Sequence, residues 1–188
     1  MKLAISALRG LVGGLFIGHG AQKAFGAFGG AGLDATAESF EALGIRPARP
    51  MVITAGATEI GAGALLAAGL ATPLASAGLI GTLTEAIRSL HARNGPWIHR
   101  GGWEYSAVMI AVLAMFAEQG PGPLSLDRAL GVERRGMRWA LAALAAGVAG
   151  PPLMAKVAAA MVGDEGEPAP GAPEPAAAEV APAAPAAS

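Results

Sequence analysis

Four stretches of nearly unbroken apolar residues, separated by polar or glycine-rich breaks, set the pattern of this chain. The first, Lys2 to Gly20, has a basic start and carries Arg9 about two helical turns in. A secretory leader opens the same way, but Arg9 interrupts the run and no convincing small-x-small cleavage site follows. The segment therefore reads as a retained transmembrane helix. Pro50 to Leu70 is the second, close to the ~20 residues a bilayer requires. Its small residues Gly56, Gly61, Gly63 and Ala64 let neighbouring helices approach closely. Ala71-Thr72-Pro73 is a turn too short for anything but an antiparallel pair. Leu74 to His91, the third span, is less purely apolar because it holds Glu85 and Arg88. Glu104 to Gln119 is the fourth, stopped by Gly120-Pro121-Gly122-Pro123.

The breaks are also patterned. After a glycine-rich stretch, Ala35 to Leu43 predicts a short surface helix, with Asp34 as its N-cap and Gly44 as its stop. Ala92 to Trp103 is a polar loop with turn signals at Asn94-Gly95-Pro96 and Gly101-Gly102, and Leu124 to Leu130 is a short amphipathic piece. Trp139 to Val162 is long enough to span, but Pro151-Pro152 breaks it at the middle and Lys156 follows. It reads as a kinked fifth helix or as two short interfacial pieces, the first being preferred. The Pro/Ala/Glu-rich end, 163–188, cannot bury enough apolar surface to fold and is expected to be disordered. The pattern thus predicts an all-α protein. A four-helix antiparallel transmembrane bundle occupies 1–131, a basic linker with the fifth apolar segment 132–162, and the tail 163–188.

Composition supports a membrane setting. Of 188 residues 53% are hydrophobic and only 14% charged, against about 25% charged in soluble domains, and the mean hydropathy is +0.49. The net charge of -1 hides an asymmetry, because the tail holds five acids and no base. The 13 bases left against nine acids give the body +4. With no cysteine, disulfides, thiolate catalysis and iron–sulfur clusters are excluded. Nothing in the composition directs the chain to nucleic acid.

Antiparallel order brings ionisable residues to one side. His19, Gln22 and Lys23 end the first span, and Glu59 lies about 13 Å into the second. Glu85, Arg88 and His91 close the third, and Glu104 opens the fourth. A charge near the membrane centre costs about 2.5–3.5 kcal/mol even on lenient scales, so Glu59 calls for a partner such as Lys23, Arg88 or His91. These residues form either a structural ion-pair cluster or a polar pocket for a head-group, a quinone or a proton, and Glu85 with Arg88 can pair along one helix. Arg9 is expected to snorkel to the near interface, Trp97 and Trp103 to join an aromatic belt, and Glu118 and Asp127 to be rim charges. A bis-His haem from His19 and His91, or a metal site from those with Glu59 and Glu104, has weak support, and no metal site is assigned. Basic residues divide evenly between the two sides. The dense run Arg128 to Arg138 favours a cytoplasmic N-terminus in a multi-pass plasma (inner) membrane protein.

Arg9 followed by His19-Gly20-Ala21-Gln22-Lys23-Ala24-Phe25-Gly26 resembles the first-helix signature of the DoxX family of bacterial membrane proteins. Ala57-Thr58-Glu59-Ile60-Gly61-Ala62-Gly63 is similar to that family's second helix, and Asn94-Gly95 with Gly101 to Tyr105 to its third loop. Gly120-Pro121-Gly122 with Leu124-Ser125-Leu126-Asp127 resembles its ending; Ala24 departs from the usual Leu, and nothing after Gly131 is covered. The resemblance implies a four-helix membrane domain, with relatives that include small subunits of a thiosulfate:quinone oxidoreductase and a partner of superoxide dismutase and a sulfurtransferase. Many members have no established activity. The expected function is an auxiliary subunit of a membrane redox or thiol and oxidative-stress system, with no intrinsic cofactor and quinone as the candidate ligand. In that reading Lys23, His19 and His91 hold a quinone carbonyl while Glu59 or Glu104 relays protons. Soluble redox enzymes are candidate partners and a homo-oligomer is left open. The rivals are a non-enzymatic scaffold that recruits partners through 132–188 and a small proton-coupled carrier.

Overall fold

The computed structural model describes residues 2–163. The predicted disordered tail lies outside the described residues apart from Gly163. The described chain is all-α: α1 (Lys2–Phe25), α2 (Gly32–Ala42), α3 (Ala48–Ala68), α4 (Thr72–Ala86), α5 (Glu104–Gln119), α6 (Leu126–Ala129) and α7 (Met137–Gly163). Hydropathy located these elements well, with informative differences. α1 continues one turn past Gly20 and so carries His19, Gln22 and Lys23 on a helix. α4 begins at Thr72, with Pro73 in its first turn where a missing N–H costs nothing. It then passes into a wider π-helical turn, Ile87–His91. Asp34 is not an N-cap: α2 starts at Gly32, and Asp34 pairs instead with Arg49 at the start of α3.

α1 and α3 run antiparallel in very close contact because glycines remove the side chains between them. A Cβ on Gly13 would sit 2.5 Å from the Gly63 carbonyl oxygen, and one on Gly20 would sit 2.7 Å from that of Gly56. α4 is the central helix and packs against α3, α5 and α7. Its buried residues, among them Ala75, Leu79, Ile80 and Leu83, point in several directions, as expected of a helix surrounded by neighbours. They join Val12 and Phe16 of α1, Leu66 of α3, Leu113 and Phe116 of α5, and Ala140 and Ala143 of α7 in one core.

The segment with two open readings is a single helix, α7, that runs through Pro151 and Pro152. A proline inside a helix removes a hydrogen bond and crowds the carbonyl four residues back. Tertiary contact compensates here. Gly147 leaves room for Ile80, whose Cγ2 lies 2.5 Å from where a Cβ would stand, and Gly81 of α4 lies against the Gly147 carbonyl and the Pro151 ring.

Outward faces are apolar. On α1, Leu8, Leu11 and Leu15 are exposed at helical spacing, and Ile53, Leu74, Val108, Leu141 and Val148 are exposed on the other long helices. A water-soluble surface avoids such continuous apolar faces, whereas a lipid-facing one requires them. Among the described residues, Leu3–Phe25 and Ala48–Ala68 are long and apolar enough to cross a membrane. Of the four predicted spans, two are therefore met on length and apolar composition together. α5, with 16 residues, is about 24 Å long and falls short by itself.

The glycine contact gives a paired prediction. Gly13→Leu forces α1 off α3 and is expected to cost about 1–3 kcal/mol or to prevent folding. Gly14→Ala, one residue away and facing open space, is expected to leave stability unchanged or raise it by up to about 1 kcal/mol. Thermal unfolding in detergent micelles reads both, and equal melting of the two variants would contradict the α1–α3 packing.

Candidate functional site

Two polar nodes lie at opposite ends of the bundle. At the end where α1 begins, Arg9 is only 2% exposed. Its guanidinium donates to the Pro121 carbonyl (2.9 Å), to those of Leu66 and Ala67 (2.7 Å for the latter), and to that of Leu124 (2.6 Å). The Leu66 and Ala67 carbonyls close the last turn of α3, where the helix carries partial negative charge, and the Leu66 oxygen also accepts from the Gly69 N–H at 3.0 Å. Gly69, at φ 68°, makes the approach possible: a Cβ there would lie 2.7 Å from the Arg9 Cζ.

Asp127 is the counterpart, also 2% exposed. Its carboxylate accepts from the Ala71 and Thr72 amides (2.8 and 3.2 Å) and the Thr72 hydroxyl (3.3 Å). Those amides open α4, where anionic charge is favoured. Ala71 holds a left-handed φ of 48°, a strained conformation for a residue with a side chain, and its bond to Asp127 helps hold it. The α3–α4 turn is thus clamped by a cation on the end of one helix and an anion on the start of the next. Arg9 does not snorkel and Asp127 is not a rim charge. Both expectations fail because the chain after α5 folds back under the bundle, with Asp127 N–H bonded to the Gly69 carbonyl (2.9 Å) and Leu124 N–H to the Ser6 hydroxyl (3.3 Å).

The other node holds the residues singled out from spacing. The Lys23 ammonium donates to Glu59 Oε2 at 2.7 Å across the α1–α3 contact. Glu59 is 7% exposed, and the Lys23 side chain is 27% exposed, so the pair is dry on one side and open on the other. His19 Nδ1 lies 3.2 Å from Gln22 Oε1 on the same helix end, and the Phe16 ring meets the His19 ring edge-on. The remaining candidates take local partners. Glu85 receives Arg88 (2.9 Å) and the Ser89 hydroxyl (2.5 Å). His91 Nδ1 is 2.7 Å from the Gly101 carbonyl oxygen, which can only accept, so that nitrogen carries the proton. Glu104 Oε1 accepts from Ile98 N–H at 2.7 Å. His91 and Glu104 therefore tie down the loop between α4 and α5. Among the described residues no group of His, Asp or Glu is placed to hold a metal ion.

Residues 4–92 match the DoxX family model. Over these residues the chain belongs to the DoxX family. The DoxX match takes in α1 to α4 and the π-helical turn, and so includes Arg9, Lys23 and Glu59. It ends before the loop and the Asp127 segment, where the sequence resemblance continued. No curated protein and no solved structure matches the chain. Family and apolar outer faces together make this a DoxX-family membrane protein.

Removing half of the clamp leaves the other half buried without its counterpart. Arg9→Met is expected to cost about 3–5 kcal/mol. Arg9→Lys is expected to recover little, because an ammonium cannot spread its donors over carbonyls of α3 and of the 121–124 segment. Asp127→Asn keeps one acceptor and is expected to cost less. Melting temperatures in detergent give the order, and an Arg9→Lys protein as stable as wild type would refute the clamp.

Proposed function

We propose that this DoxX-family protein is a multi-pass protein of the plasma (inner) membrane, its N-terminus cytoplasmic, that serves as an auxiliary subunit of a membrane redox or thiol-stress system. In this reading α1, α3, α4 with its π-helical turn, and α5 cross the bilayer, the shorter helices being completed by the polar loops at their ends. The observation that carries the functional part is the Lys23–Glu59 pair, a buried carboxylate held by a half-open ammonium. Intramembrane ionisable groups are costly and are found where ligands or protons are handled.

The residues present fit a quinone head-group. Lys23 has three N–H donors and gives one to Glu59, which leaves donors for a carbonyl. His19 and Gln22 add polar atoms about one turn away, and Phe16 adds an aromatic edge. A bound quinone would supply a couple that takes up two electrons and two protons. Lys23 and His19 would orient its carbonyl, and Glu59 would hold or release a proton beside it. The chain has no cysteine to pass electrons through, so a partner enzyme is part of the proposal.

A quinone titration of the detergent-purified protein tests it. Saturable binding is expected, weakened about tenfold or more in Lys23→Ala and Glu59→Gln, the scale of one hydrogen bond to a charged group. Absence of saturable binding to wild type, with both variants merely less stable, would make the pair a structural tie between α1 and α3.

A further inference from the structure

The end of the bundle that holds the Arg9 clamp also carries a feature the clamp does not use. Between α5 and α7 an open groove of about 450 Å³ is lined by Ala107, Ile110, Ala111, Ala114, Leu141 and Leu144, with Met137 and Glu118 at its mouth. The Gly136 N–H bonds to the Glu118 carbonyl at 2.7 Å, so this mouth adjoins the segment Glu133 to Arg138. There Arg134, Arg135 and Arg138 are all exposed. None of the three has an ion-pair partner among the described residues. Arg134 and Arg138 stand over the Trp139 ring at 5.3 and 5.7 Å. Around them Leu124, Leu126, Leu130, Val132 and Met137 are exposed. Exposed apolar side chains interleaved with arginines beside a tryptophan have the composition of a membrane–water interface.

We propose that this end of the bundle binds an anionic phospholipid, its phosphate against Arg134, Arg135 and Arg138 and one acyl chain lying in the α5–α7 groove. The proposal rests on the membrane reading above. Charge complementarity selects the occupant: with Arg128, the end has four arginines against Glu118 and Glu133. Asp127 is already committed to the start of α4. Guanidinium groups offer paired donors to phosphate oxygens. The groove runs along α5 from Ala107 to Glu118, about 16 Å at helical rise, a length that an extended acyl chain can follow. Glu118 at the mouth repels phosphate but can accept from a hydroxyl-bearing head-group, so phosphatidylglycerol is the probe of choice.

The test uses the full chain with Trp97→Phe and Trp103→Phe, reconstituted in phosphatidylcholine vesicles, so that Trp139 is the reporter. Phosphatidylglycerol with brominated acyl chains is expected to quench Trp139 at lower mole fraction than brominated phosphatidylcholine. The triple variant R134Q/R135Q/R138Q is expected to lose that preference, each arginine accounting for about fivefold. Ala111→Phe, which fills the groove but keeps the arginines, is expected to weaken quenching by phosphatidylglycerol as well. Equal quenching by the two lipids in the unaltered chain would overturn the proposal. So would full displacement by glycerol phosphate together with an Ala111→Phe protein that binds normally, since the site would then be a phosphate site alone. A chain that enters vesicles of neither composition would instead refute the membrane reading, which keeps the two failures apart.

Discussion

The fold depends on how one buried cation is satisfied. Arg9 stands inside the bundle, and an unpaired guanidinium there would cost several kcal/mol. It is tolerated because the Leu66 and Ala67 carbonyls at the end of α3 accept from it and because the chain after α5 returns to add those of Pro121 and Leu124. Asp127 completes the arrangement at the first amides of α4. One cluster thereby fixes the start of α1, the α3–α4 turn and the end of α5 relative to each other. Glycine is demanded at position 69 because the guanidinium occupies the space of its missing side chain.

From that anchored end the helices diverge in task. α1 and α3 meet through glycines and present their apolar faces outward, while α4 is enclosed by α3, α5 and α7. At the far end the same α1–α3 contact that permits close packing also brings Lys23 onto Glu59. The candidate site is therefore a by-product of the tight helix pair. Backbone strain and the Arg9–Asp127 charges are concentrated where helices end, whereas the close glycine contacts and Glu59 lie within the helices.

Much of this was legible in the chain. Runs of apolar residues bounded by Gly and Pro placed α3, α5 and α7 to within a few residues, because a helix in an apolar setting must satisfy its own backbone. The Lys23–Glu59 partnership was among those expected, since a carboxylate nine residues into an apolar span has few affordable alternatives. Asp34 misled because a short polar residue before a helix resembles a cap, whereas its side chain found Arg49 instead.

What the sequence by itself determined was the helical class and the need for a partner at Glu59. Local spacing and the cost of burying charge are enough for these. Tertiary structure alone decided that Arg9 is buried rather than snorkelling, and that Asp127 is internal rather than at the rim. It alone also decided that Pro151 and Pro152 lie within a continuous helix. Each of those outcomes depends on atoms more than 50 residues away along the chain, or on a neighbouring helix with a glycine in the right place. No periodicity in a single stretch encodes such a contact.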